Sequence, residues 1–219
     1  MTTKKPIKII VFGASGEVGS RMVAEAVRRG HRVSAVHRSE PAPGEVGQDV
    51  EVLVRDVGFA GDLEQVIASH DIAISALRPP DGQEEMLVEL TAKVVAAANS
   101  AGRKFLVVGG AAPLLLHDDP SHTVLTAPGF LPESVVPIAT ACQDQHDWIM
   151  PQLGDLGTYL CPPAMLTPGE RTGSYRAGDA TLVVDQNGAS GISMEDFAVA
   201  ALDEIEAPKH TGRRFTVGY

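Results

Sequence analysis

The chain has 219 residues, 44% hydrophobic and 21% charged, which is enough apolar material for a packed core and excludes a disordered chain; we expect one domain over 1–219. Its net charge of −10 is uneven: residues 1–110 carry 13 Lys/Arg against 14 Asp/Glu, and residues 111–219 carry 5 against 14. An acidic chain without a basic cluster is a poor partner for nucleic acid, and no apolar run reaches the roughly 18 residues of a membrane span, so we expect a cytoplasmic protein, monomer or homodimer, whose partner is a small molecule.

Residues 1–8 are basic, but the apolar run at 9–12 is too short for a secretory leader. That run, Lys8-Ile9-Ile10-Val11-Phe12, is β-branched and aromatic and stops at Gly13, so it reads as a strand. A helix follows at 18–29, where Met22, Val23, Ala26 and Val27 recur at helical spacing. Strands are predicted at 32–37 and 50–54 around a Pro/Gly-rich connection at 39–48. A short helix then covers 62–68 and a strand 71–77, halted by Pro79-Pro80. Residues 83–98 form the clearest helix, with Met86, Leu87, Leu90, Val94 and Ala97 on one stripe, and 103–108 the fifth strand, ending at Gly109-Gly110.

Beyond Gly110 the rhythm loosens. A long connection at 111–132 leads to a helix at 134–150 with Pro137 in its first turn, a strand at 158–161 and a second long connection at 162–178. Residues 181–184 suggest a small strand before a turn at 186–188. Ser193-Met194-Glu195-Asp196 opens a final helix to about 206, and 214–217 a last strand. Apolar strands alternating with helices indicate a doubly wound, parallel α/β sheet of Rossmann type with helices on both faces. Within it, 1–110 would be the cofactor-binding core and 111–219 the substrate-side loops with a small C-terminal lobe.

Gly13-Ala14-Ser15-Gly16-Glu17-Val18-Gly19 joins the first strand to the first helix with G-x-x-G-x-x-G spacing. Gly13 permits the tight turn, Gly16 lets backbone approach a pyrophosphate, and Gly19 lets helix and sheet pack closely, while the helix N-terminus faces the phosphates. At the end of the second strand, where NAD enzymes commonly place an acid on the ribose, this chain has His37-Arg38. A guanidinium there suits a 2′-phosphate, so NADP is expected over NAD. Asp56, ending the third strand, could accept from an adenine amino group; the backbone of Ser75, Ala76 and Leu77 could line the nicotinamide side. Arg78 is as readily a surface residue.

Other candidates carry less. The seven histidines include no metal-binding H-E-x-x-H, and none of 117–122 is expected to hold a metal. His146 reads as a surface residue of its helix. Cys142 and Cys161 are the only cysteines and read as reduced. Cys142 lacks a cationic sequence neighbour and is expected to be a buried thiol.

The stretches 11–19, Phe105-Leu106-Val107-Val108-Gly109-Gly110-Ala111, Pro168-Gly169-Glu170-Arg171-Thr172-Gly173 and Arg213-Arg214-Phe215-Thr216-Val217-Gly218-Tyr219 together resemble the atypical short-chain dehydrogenases. More narrowly they resemble the NADH-flavin reductase group, similar to biliverdin-IXβ (flavin) reductase and to NmrA-like proteins. The resemblance covers nearly the whole chain. It implies NADP held at Gly13, Ser15, Gly16 and Arg38, and hydride delivery to an acceptor stacked over the nicotinamide; Gly109 and Gly110 are expected to border the cofactor, and Ala111, Ala112, Pro113, Pro163 and Ala164 to line the acceptor. Ordinary short-chain dehydrogenases protonate through Tyr-x-x-x-Lys, which Tyr159, Tyr175 and Tyr219 do not form. The polar residues of the bilin reductases are replaced by Ala112 and Ala164, which argues against bilin reduction. No catalytic residue is assigned. The expected activity is NADPH-dependent reduction of a soft planar acceptor, a flavin or quinone; the alternative is an NADP-sensing module of NmrA-like type, and a cofactor-retaining epimerase or dehydratase comes third.

Overall fold

A computed structural model of the chain describes residues 5–42 and 44–219. Residues 1–4 of the basic start and Pro43 of the 39–48 connection lie outside the described residues. Strands β1 (Lys8–Phe12), β2 (Arg32–His37), β3 (Val50–Val54), β4 (Ile72–Ser75), β5 (Lys104–Val108), β6 (Gly157–Cys161) and β10 (Arg214–Gly218) run parallel in the order β3-β2-β1-β4-β5-β6-β10, and β8 (Arg176–Gly178) closes the edge antiparallel to β10. This eight-stranded sheet is a Rossmann-type fold, parallel except for that edge.

Each strand divides its side chains between two cores, as a period of two requires. Ile9 and Val11 face α1 (Glu17–Arg28) and α5 (Met194–Glu206), whereas Ile10 and Phe12 face α2 (Leu63–Ala68), α3 (Met86–Ser100) and α4 (Val136–Ile149). All four are fully buried, each contributing roughly 1.5–3 kcal/mol of apolar burial. Because the helices linking parallel neighbours run antiparallel to the strands, the N-termini of α1 and α4 both lie at the carboxyl edge of the sheet. That edge is where open α/β sheets bind ligands.

The predicted elements up to 110 recur with boundary shifts of at most three residues. Pro137 sits in the first turn of α4, and Ser193 caps α5 by accepting from the Asp196 amide at 3.0 Å. Three features of the second half differ. The 162–178 connection contains two strands, β7 (Met165–Thr167) and β8, and β7 pairs with an unpredicted β9 (Gly191–Ser193) in a two-stranded parallel sheet. Each is three residues long, too short to show a period. The strand expected at 181–184 does not form, because the backbone there turns to Leu115 instead: the Leu115 amide donates to Ala180 and the Leu182 amide to Leu115.

Candidate functional site

The turn after β1 is built so that only glycine fits at two of its positions. Gly13 has φ of +79°, and a Cβ there would sit 2.3 Å from the Ala76 carbonyl oxygen; one on Gly19 would sit 2.1 Å from the Gly13 carbonyl oxygen. The Gly16 amide closes the turn on Gly13 at 3.0 Å, and Gly16 then stands at the N-cap of α1, which has no side-chain cap. The result is a bare helix terminus whose first amides face outward beside exposed Ser15, Gly16 and Glu17. An anion-binding cradle needs that geometry. Val18 is half-buried, and the Ala14 side chain points into the core, leaving its backbone at the turn.

At the end of β2, His37 is buried and Arg38 exposed. Arg38 makes no ion pair among the described residues, whereas Arg55 pairs with Asp62 at 2.9 Å and Arg78 with Asp81 at 3.4 Å. A cavity of about 570 Å³ opens beside the cradle between α1 and β2, reaching Ala14, Ser15, Ala35 and His37. Asp56 is exposed at the end of β3 and accepts from the Gly58 amide through Oδ1 at 2.9 Å, with Oδ2 left open. Ser75 ends β4 with its hydroxyl buried and without a hydrogen-bond partner, and Ala76 and Leu77 emerge half-buried behind it. These residues meet along one edge, and their chemistry suits a dinucleotide: amides for phosphates, a free guanidinium, a carboxylate oxygen.

The floor after β5 has a different logic. A Cβ on Gly109 would lie 2.1 Å from Tyr159 Cζ, and one on Gly110 would lie 2.6 Å from Cys142 Sγ. These two glycines make room for the chain's own side chains, a reason the sequence does not display. Of the five residues expected to line an acceptor, Ala112, Pro113 and Pro163 are buried; Ala111 and Ala164 retain surface.

Tyr159 is fully buried, and its hydroxyl donates to Gln145 Oε1 at 2.9 Å while Gln145 Nε2 donates to Thr91 Oγ1 at 2.7 Å. Burial pushes its phenol far above the ordinary range. Tyr175 donates to Asp203 and Tyr219 to Asp196, each at 2.8 Å. All three tyrosines are committed, so none stands free as a proton donor. Cys142 is half-buried rather than fully buried as expected, and burial still pushes its thiol up to about 11 against the opposing charge of Arg78, which keeps it protonated. Contrary to the surface reading, the His146 side chain is 14% exposed: Arg214 Nη1 donates to its Nε2 at 2.8 Å, and Nδ1 bonds Asp147 at 2.9 Å. Burial lowers its pKa, and Arg214 adds to that. The other polar cluster, Ser34 with His70 Nε2 at 2.8 Å and Glu51 at 2.5 Å, sits toward the amino edge, away from the cradle.

Residues 13–208 match the family model described as NAD(P)H-binding. The chain belongs to this NAD(P)H-binding family. The Bacillus subtilis protein YwnB is 36% identical over 214 residues, covering 96% of this chain and 98% of YwnB. A Bacteroides thetaiotaomicron structure provisionally named an epimerase is 34% identical with a TM-score of 0.88, covering 98% of each chain. A Streptococcus pneumoniae structure provisionally named an NADH-flavin reductase is 29% identical with a TM-score of 0.81, covering 97% of this chain and 99% of its own. The family fold is that of NAD(P)-binding oxidoreductases, and no helix among the described residues is long and apolar enough to cross a membrane.

Proposed function

We propose that this protein is an NADPH-dependent reductase that passes hydride to a soft planar acceptor of flavin or quinone type. The observation that carries the reading is the uncapped α1 terminus set in a cradle of Gly13, Gly16 and Gly19, with the unpaired Arg38 one strand away. The amides around Ser15 to Val18 hold the pyrophosphate, Arg38 holds the 2′-phosphate beside His37, Asp56 accepts from the adenine, and the Ser75 to Leu77 backbone borders the nicotinamide side with Gly109 and Gly110 as floor. When bound, NADPH supplies the hydride, and the acceptor gains that hydride and one proton from water as NADP⁺ is left. The commitment of all three tyrosines fits an acceptor that is protonated by solvent. The name of the pneumococcal neighbour supports a reductase and does not specify the acceptor.

The same committed tyrosines favour one second reading, an NADP-sensing module that performs no turnover. NADPH oxidation against flavins, quinones and dyes separates the two: acceptor-dependent turnover is expected, and tight NADPH binding without turnover on any acceptor moves the assignment to the sensor. Arg38→Ala is expected to weaken NADPH by roughly ten- to a hundredfold, the worth of a charge-assisted hydrogen bond, while leaving NADH nearly unchanged. Equal losses for both nucleotides, measured by titration, would remove Arg38 from the 2′-phosphate.

A further inference from the structure

The six large hydrophobic side chains that stand exposed among the described residues all lie along one edge of the sheet. Phe59 follows β3, Phe130, Val135 and Val136 lie between β5 and the first residue of α4, Met165 follows β6 and Tyr219 follows β10. All of these positions are at the carboxyl edge, because the strands concerned are parallel and α4 begins there. Four of the six, Phe130, Val135, Val136 and Met165, come from the segments that follow β5 and β6, and α4 is anchored to the end of β5 by the contact of Cys142 with Gly110.

The segments that carry these four side chains hold no basic residue. No Lys or Arg occurs from Phe105 to Glu170, and Glu133 is the only charged residue between Asp119 and Asp144. Beyond it, Arg171 is bound to Glu25 at 2.8 Å, Arg176 to the carbonyls of Val184 and Tyr219, and Arg214 to His146. The one cation facing α4 from β4's side, Arg78, is shared with Asp81 at 3.4 Å. Exposed apolar side chains concentrated on one edge mark a binding surface. A cleft recognises an anionic group through fixed cations, and placing such a group beside unpaired acids is penalised.

From this we infer that the acceptor is an uncharged planar ring, a quinone or an isoalloxazine without phosphate, held by the apolar rim formed by Phe130, Val135, Val136 and Met165, and that phosphorylated flavins are disfavoured. The inference rests on the reductase reading and narrows its substrate. The asymmetry of the edge then has a purpose: the β1–β2 side takes the polyanionic nucleotide, and the β5–β6 side takes a neutral ring.

Riboflavin and flavin mononucleotide make the matched pair for a test, because they share one redox-active ring and differ by a phosphate. With NADPH saturating, kcat/KM for riboflavin is expected to exceed that for the mononucleotide by about tenfold or more, chiefly through KM, and the gap is expected to narrow at high salt as the Glu133 charge is screened. Quenching of flavin fluorescence by the NADP⁺-loaded protein gives the same comparison without turnover. A Val136→Arg variant is expected to raise mononucleotide use relative to riboflavin. Equal or better use of the mononucleotide by the native protein would overturn the inference and leave the reductase standing; loss of that preference in Arg78→Ala would then locate the phosphate at Arg78. Binding of riboflavin without turnover of either flavin or of a naphthoquinone would instead overturn the reductase reading, and this inference with it.

Discussion

The two long connections at the carboxyl edge, 111–132 and 162–178, look alike in sequence, rich in proline and without sustained period, yet the structure treats them in opposite ways. The second is riveted down. The Gly169 amide donates to Glu195 at 2.8 Å, the Glu170 carbonyl accepts from Ser193 at 2.8 Å, Arg171 forks onto Glu25 at 2.8 and 3.0 Å, and Thr172 and the Gly173 amide both donate to Asp196. Glu195 also holds Arg21 at 2.7 Å, so α1 and α5 are both tied to this strap. The first connection is fixed at its root, where Leu115 and Val124 bond the backbone, but 128–135 is bonded only to its own neighbours, as with Phe130 to Ala127 and Val135 to Pro132. A loop whose polar groups are spent on helices is scaffold; one that exposes apolar side chains and bonds only locally is free to adapt to a ligand.

The largest test of that contrast is Glu25. Burial alone would raise its carboxyl pKa, but hydrogen bonds from Arg28, Arg171 and Arg29 outweigh burial and hold it well below the ordinary carboxylate range. Glu25 is 4% exposed. Glu25→Gln leaves three guanidiniums facing a neutral amide and is expected to cost about 3–5 kcal/mol in urea unfolding. Phe130→Ser, on the other connection, is expected to stay within about 0.5 kcal/mol. Comparable losses at the two sites would erase the distinction between strap and free segment.

Gly109→Ala probes the floor between them and is expected to rank second, at about 1–3 kcal/mol, since the new methyl must displace the Tyr159 ring. If Gly109 were kept only for ligand approach, stability would be unchanged and cofactor affinity alone would fall.

How much of this was legible in the sequence follows from range. Strands β1, β2 and β3 have the predicted boundaries and α1 lies within one residue, because their signals, β-branched runs, helical stripes and a glycine turn, are contiguous. The glycine turn and the exposed position of Arg38 were readable for the same reason: one turn and one strand end are written locally. The rest depends on partners far apart in the chain. Gln145 meets Thr91 across 54 residues and Arg171 meets Glu25 across 146, so neither spacing nor composition could reveal the Tyr159 network or the strap. The burial of Ala112, Pro113 and Pro163 beyond the ends of β5 and β6 is likewise a packing outcome. The sole hint of the strap was the 168–173 stretch, specific enough to carry a resemblance but silent about its bonds.

The smallest expected effect is a pH dependence that separates the two connections. His146 supports the root of the first, since Arg214 bonds both its Nε2 and the Pro113 carbonyl at 3.2 Å. Its pKa in the folded protein lies below the ordinary 6.5, by burial and the Arg214 charge, with Asp147 opposing. Between that lowered value and 6.5 the unfolded chain binds more protons than the folded one, so the stabilisation present above 6.5 is lost as pH falls through the window. Glu25, held far below the carboxylate range, stays ionised there, and the strap keeps its bonds. Hydrogen exchange compared at about pH 8 and about pH 5.5 should therefore show protection falling at 111–116 while 169–175 is unchanged, and His146→Gln should abolish the difference. Loss of protection in both segments together would mean that acid acts on the whole sheet, and that the root of the first connection is held by something other than a neutral imidazole beneath it.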